Sequence, residues 1–279
     1  MALPFAGDVE FQKLIQRRED VDLVRLMLEF CADAYPDVDS WGTMEEIERL
    51  GQLAAERLAS PACHGAEKQL KAISRLLYDD EGYHGNESSY YDPRNSYLNE
   101  VLASRCGIPI SLALVYMAVA RRAGLDVYGV PTPGHFVLGC DTPRGTLYVD
   151  PFSGGDVLRR DACRRRIERI VGQTGAITDE HFHRATALEI ALRVLRNLKA
   201  AYAMKNEWDS ALPVQLRLAM LLPDVADEQR DLGLVYLRNG RAQPALALLE
   251  NYVRACTAEQ AKIVEPYLRS ARRLVAELN

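Results

Sequence analysis

From residue 198 onward the chain repeats itself at an offset of 34 residues. Leu198 falls on Leu232, Tyr202 on Tyr236, Ala211 on Ala245 and Leu212 on Leu246, and the helix-breaking points Asn206 and Gly240 coincide as well. Period, residue type and breaks agree together, which argues against the alternative of an unrelated antiparallel bundle with accidental coincidences. A 34-residue period describes a helix–turn–helix unit, in which a small residue lets the paired helices approach and an aromatic fills the gap beside it. One such unit cannot cover its own apolar face, so two of them require neighbours. The final helix, over 259–278, is expected to cover one end and the preceding domain the other. Everything from about Ala185 reads as helix, interrupted at Asn206, Pro223–Asp224 and Asn239–Gly240, which sets the domains at 1–184 and 185–279.

The N-terminal part mixes helices and strands. Residues 9–60 read as two helices, the first carrying Val21, Val24, Leu28 and Cys31 at helical spacing. Ser40 or Thr43 is expected to cap the second, with Glu46 completing a capping box. A third helix is expected over 64–78, with Leu70, Ile73, Leu76 and Leu77 inward, and a short one over 94–104. The segment 105–130 predicts a buried central helix. Pro109 sits at its first position, where a missing N–H costs nothing, and Gly124 with Leu125 ends it in a left-handed cap. Three strands follow: Asp126–Val130, Gly134–Cys140 and Thr146–Phe152. A four-residue loop, Asp141–Arg144, would set His135 directly opposite Asp150, with their side chains on one face. Residues 157–171 read as a basic amphipathic helix with Cys163, Ile167, Ile170 and Val171 inward.

Composition excludes several classes. The net charge is −5 and the pI about 5.7, so a global electrostatic footprint for nucleic acid is absent. The six cysteines contain no C-x-x-C pair, which argues against a zinc ribbon or a disulfide framework and for a reducing compartment. His181 and His183 form an H-x-H too unspecific to assign a metal, and no cofactor motif is present. The start of the chain lacks a signal-peptide pattern. The longest nearly apolar run, Ile108–Ala120, is too short to span a bilayer, so a cytoplasmic protein is expected.

The string NSYLNEVLASRCGIPISLALVYMAVARRAGL, followed by PGHF (133–136) and VDPF (149–152), resembles the SirB-type family of bacterial proteins. NLKAAY (197–202) and RDLGLVYLRNG (230–240) resemble its C-terminal half, so the likeness runs from about residue 10 to 275. It implies an α+β transglutaminase-like (papain-like) domain with leading helices, followed by an all-α tetratricopeptide-like array. The wider superfamily carries a Cys–His–Asp triad, its Cys at the start of the central helix, where the helix N-terminus favours a thiolate. His135 and Asp150 match the His and Asp. At the Cys position, after Gly107-Ile108, this sequence has Pro109. Cys106 lies three residues earlier, about 5 Å along a helix axis, and Ser111, in the first helical turn, reads as a capping or packing residue. Asn95 is expected to cap a helix, Tyr97 to sit in the core and Arg105 to pair with a carboxylate.

Three functional readings follow. The first is a non-catalytic scaffold or regulator that binds a protein or peptide partner through the repeats, with Tyr202, Tyr236 and Arg230 as candidate binding residues. Its α/β domain is degenerate, and His135–Asp150 staples a hairpin. The second is a thiol hydrolase or acyltransferase on amide or ester bonds, using Cys106, His135 and Asp150. The third and weakest is binding of nucleic acid or an acidic partner through the six arginines from Arg159 to Arg169.

Overall fold

Where two helices were expected over residues 9–60, the computed structural model, which describes residues 4–277, has three: α1 (Val9–Ile15), α2 (Leu23–Ala34) and α3 (Ser40–Leu58). The chain leaves α1 near Arg17, at φ +59°, and re-enters helix at Asp22, whose carboxylate accepts from the N–H groups of Val24 and Arg25. An aspartate that satisfies two orphan N–H groups starts a helix on its own account. The cap of α3 is Asp39, which accepts from Gly42 N–H, rather than Ser40 or Thr43. The Thr43 hydroxyl turns back onto the Asp39 carbonyl. Glu46 completes no capping box, because Arg49 and Arg105 hold its carboxylate.

Helix α4 (Ala66–Ser74) runs on into a π-helical turn, Arg75–Asp80, and buries Leu70, Ile73, Leu76 and Leu77 as the spacing indicates. Next come β1 (His84–Gly85), a 3-10 turn at Pro93–Ser96, α5 (Leu98–Ser104) and β2 (Cys106–Gly107), which pairs parallel with β1. Helix α6 (Pro109–Arg122) is the centre of this unit, with every residue from Pro109 to Ala120 buried. Tyr116 donates to the Leu70 carbonyl at 2.8 Å, and Gly124 at φ +76° closes the helix while Leu125 N–H reaches the Ala120 carbonyl.

A four-stranded antiparallel sheet follows, in the order β3 (Tyr128–Val130), β4 (Val137–Cys140), β5 (Leu147–Asp150), β6 (Asp156–Arg159). Its register corrects the expected hairpin. Cys140 pairs with Leu147, so the loop holds six residues, 141–146, and the pairing is displaced by two. Side chains alternate with period two, so a displacement of two leaves His135 and Asp150 on one face as diagonal neighbours. Residues 157–159, read as the entry to a helix, belong instead to the fourth strand, Asp156–Arg159, and α7 is Arg160–Val171. Its Cys163 and Ile167 pack with Val130, Val137, Tyr148 and Ile177. Ile170 and Val171, expected inward, are 49% and 38% exposed because the last turn passes beside the Gly134 turn at the surface.

Five helices complete the chain: α8 (Ala187–Lys205), α9 (Trp208–Leu221), α10 (Ala226–Arg238), α11 (Ala242–Ala255) and α12 (Ala258–Glu277). The molecule divides into two compact units, one reaching to Val194 and the other beginning at Leu195, so the division falls within α8. In the second unit Asn206 and Gly240, both at positive φ, separate the paired helices. Ala211 and Ala245 are buried at equivalent positions. A Cβ on Gly233 would stand 3.0 Å from Leu249, which shows how closely α10 and α11 approach. Leu249, Tyr252, Val264 and Leu268 form the core behind them. Among the described residues no helix is long and apolar enough to cross a membrane.

Candidate functional site

His135 closes the turn that precedes β4. Its N–H reaches the Thr132 carbonyl, and Gly134 takes the left-handed conformation, φ +66°, that the turn requires. Asp150 ends β5. Both side chains are buried, and His135 Nε2 lies 2.9 Å from Asp150 Oδ1. Asp150 is held on every side: Ser153 Oγ donates to Oδ2 at 2.9 Å and Arg166 Nη1 to Oδ2 at 3.2 Å. The N–H groups of Phe152 and Ser153 donate to Oδ1. Burial pushes the Asp150 carboxyl up, but the bonds from His135, Ser153 and Arg166 outweigh it and bring the pKa down to about 2. Phe152 meets the imidazole edge-on at 6.3 Å between centroids. Among the described residues no hydrogen bond reaches Nδ1. One ring nitrogen is therefore anchored and the other open, the arrangement that orients an imidazole for proton transfer.

A nucleophile is not joined to this pair. Pro109 occupies the first helical position of α6. Ser111 Oγ accepts from Ile108 N–H at 3.0 Å and lies 2.6 Å from the Asn95 carbonyl, to which it donates, at 1% exposure. Its hydroxyl is spent on the helix start. Cys106 is half-buried in β2, and no hydrogen bond joins its Sγ to His135 or Asp150 among the described residues. Burial pushes its thiol up, with only the Gly107 backbone opposing. An activated thiol is displaced the other way.

The remaining candidates are mostly paired within the fold. Asn95 caps no helix: its Nδ2 donates to the carbonyls of Ser89 and Tyr90 and its Oδ1 accepts from Asn86, pinning the 86–90 loop. Tyr97 is in the core, and Arg105 bonds Glu46 at 2.6 Å and Tyr83 at 2.6 Å. Of the six arginines, Arg160 and Arg164 hold Asp179, Arg166 holds Asp150 and Asp156, and Arg159 faces Glu67. His181 accepts from Thr178 N–H and His183 pairs with Glu189, while His64 and His84 are exposed. No cluster of three or more metal-ligating side chains occurs among the described residues. In the second unit Tyr202 is buried, Tyr236 is half-buried, and Arg230 is held by Asp227 and Asp231 and lies over the Tyr252 ring.

Sequence reasoning missed Ser153 and Arg166 as partners of Asp150. Ser153 was legible, since Asp-Pro-Phe-Ser-Gly-Gly is a turn in which the aspartate accepts from backbone N–H groups two and three residues on. Arg166 was one of six similar arginines, and nothing local distinguished it.

Comparison with known proteins agrees with this architecture. A model of the transglutaminase-like superfamily matches residues 43–196, and a tetratricopeptide repeat model matches residues 198–269. The UPF0162 protein of Xylella fastidiosa (strain 9a5c) is 37% identical over 242 residues, 84% of each chain. The UPF0162 protein YchA of Escherichia coli (strain K12) is 27% identical over 251 residues, 90% of each. F-box only protein 21 of Mus musculus is 38% identical over 112 residues, 37% of this chain and 17% of that protein. No solved structure matches significantly.

Proposed function

Since the chain belongs to the transglutaminase-like superfamily and carries tetratricopeptide repeats behind the matched domain, we propose that it is a non-catalytic scaffold. It binds a polypeptide partner through its repeats, in a reducing compartment such as the cytosol. The observation that carries this reading is Pro109 at the first position of α6, where the superfamily places its cysteine. The buried His135–Asp150 pair then serves as a staple between the β4 turn and the end of β5. The six free cysteines accord with the reducing compartment.

A second reading, a cysteine hydrolase or acyltransferase using Cys106, His135 and Asp150, draws support from the open Nδ1 and the low pKa of Asp150. One experiment separates the two. Polypeptides cross-linked to the full chain are compared between wild type, a Cys106→Ala/His135→Ala variant and Tyr236→Ala. The scaffold reading expects the same polypeptide with the first two and its loss with the third. An ester or amide turnover that disappears in Cys106→Ala would establish the enzyme instead.

A further inference from the structure

Of the six arginines from Arg159 to Arg169, four are used inside the fold. Arg160 and Arg164 hold Asp179 at 3.0 and 2.5 Å, Arg166 bridges Asp150 and Asp156, and Arg159 lies 3.6 Å from Glu67. Arg165 and Arg169 are left over. Both are exposed, and among the described residues neither comes within ion-pair distance of a carboxylate. Arg169 Nε makes only a long bond, 3.4 Å, to the Arg165 carbonyl. The acids nearest in sequence do not answer them: Asp161, one turn before Arg165, forms no ion pair with it among the described residues, and Glu168 accepts from Gly175 N–H at 2.9 Å. Arg165 and Arg169 are themselves one turn apart. Two like charges at that spacing repel, so the isolated helix gains nothing from them.

The same end of α7 exposes apolar surface. Ile170 is 49% and Val171 38% exposed, where the helical stripe would have turned both inward. They stand beside the turn that leads to His135. A Cβ on Gly134 would lie 3.7 Å from Val171 Cγ2 and 4.0 Å from Ile170 Cγ2, and Gly134 is itself exposed. Two branched aliphatic side chains and two unneutralised guanidiniums thus share the last two turns of α7.

The charge and the apolar part together decide what fits. A nucleic acid is held by neutralising several phosphates, about six to ten in a typical complex. An anionic membrane surface draws on clusters of about four to eight Lys or Arg. Two free cations on a chain of net charge −5 supply neither. They match two carboxylates of one short segment, and the guanidinium fork suits a carboxylate because it can donate two parallel bonds to it. A phosphate backbone also offers nothing to Ile170 and Val171, whereas a polypeptide brings apolar side chains with its acids. We propose that the C-terminal end of α7 docks an acidic polypeptide segment, whose carboxylates pair with Arg165 and Arg169 and whose apolar side chain covers Ile170 and Val171. The surface lies wholly in the first unit, so it is separate from the repeats and does not rest on the reading given to them.

The test uses the full chain with its isoleucine methyl groups labelled for NMR. The probe is a capped Glu-Leu-Glu-Glu-Leu-Glu peptide, set against its Lys-Leu-Lys-Lys-Leu-Lys counterpart. The Ile170 methyl signal should move saturably with the acidic peptide and stay in place with the basic one. Arg165→Glu/Arg169→Glu should weaken binding at least about tenfold, and Ile170→Ser about three- to tenfold. Neither variant removes an ion pair from the fold, and Ile170 already has half its surface in water. Equal affinity in the charge-reversed protein, a response of the Ile263 methyl in place of Ile170, or no saturable shift would each overturn the proposal. Tighter binding of a short DNA duplex or of phosphatidylserine vesicles than of the acidic peptide would overturn it as well.

Discussion

Asp150 and Gln215 are both fully buried polar side chains, and they differ in what surrounds them. Asp150 accepts from His135, Ser153, Arg166 and two backbone N–H groups, so no lone pair is left to answer. Gln215 spends its nitrogen on Glu228, and its oxygen has no hydrogen-bond partner among the described residues. A buried polar group whose partners all come from its own fold rigidifies that fold. One that lacks a partner stays costly. The Asp150 network is thus closed, whereas Gln215 is one of several side chains in both units, with Asn99, Thr132 and Arg164 in the first, that keep a buried polar atom without a partner among the described residues.

The strongest way to break that contrast is to open the closed region. Asp150→Ala strips the acceptor from His135, Arg166 and two N–H groups at once. It should cost about 3–5 kcal/mol in urea unfolding, the range for removing one partner of a buried charged pair. A loss below about 1 kcal/mol would mean that the network does not hold this unit together. Acid provides a second route. The Asp150 pKa of about 2 lies below its ordinary 3.8, so its stabilisation is fully present above that ordinary value and disappears as pH falls through the folded one. The gap corresponds to about 2 kcal/mol, lost between roughly pH 4 and pH 2. Asp150→Asn should flatten the stability curve over that window.

Much of this was legible beforehand. The buried α6, its proline start and glycine end follow from local rules, and the 34-residue offset placed the repeat helices between the same breaks. The meeting of His135 and Asp150 was foreseen from a loop two residues too short. It survived because the error was even, and an odd one would have put the two on opposite faces. Strand β6 was missed because Val157 and Leu158 run without a break signal into the helix that follows, and only pairing with β5 decides otherwise. Gln215, polar where the offset expects Leu249, ties α9 to Glu228 through its amide nitrogen, a pairing the repeat alone does not indicate.

The repeat unit can be disturbed through its packing. Ala245 is 0% exposed at the fourth residue of α11, and Ala211 holds the same place in α9. Leucine at either position must separate helices that are already close, at about 1–3 kcal/mol. Ser210, next to Ala211 and exposed, should accept leucine within about 0.5 kcal/mol. Hydrogen exchange on Ala245→Leu should show the loosening among residues 195–279. Unchanged exchange there would mean that the small residue is not required by the pairing.

The smallest expected effect concerns Cys106, and it tests whether the closed region is also chemically silent. A thiol becomes reactive when a neighbouring cation or a helix N-terminus stabilises its thiolate. Here the first helical position belongs to Pro109, no hydrogen bond joins Sγ to His135 among the described residues, and burial pushes the thiol up. Iodoacetamide at neutral pH should therefore modify Cys106 no faster than an ordinary half-buried thiol, and at the same rate in His135→Ala. Cys106→Ser should change stability by less than about 0.5 kcal/mol, since a hydroxyl keeps the contact with the Gly107 backbone. Rapid labelling that collapses in His135→Ala would mean that the open Nδ1 reaches the thiol in solution. The contrast would then reverse, because the superfamily site would be the part of the molecule poised for chemistry.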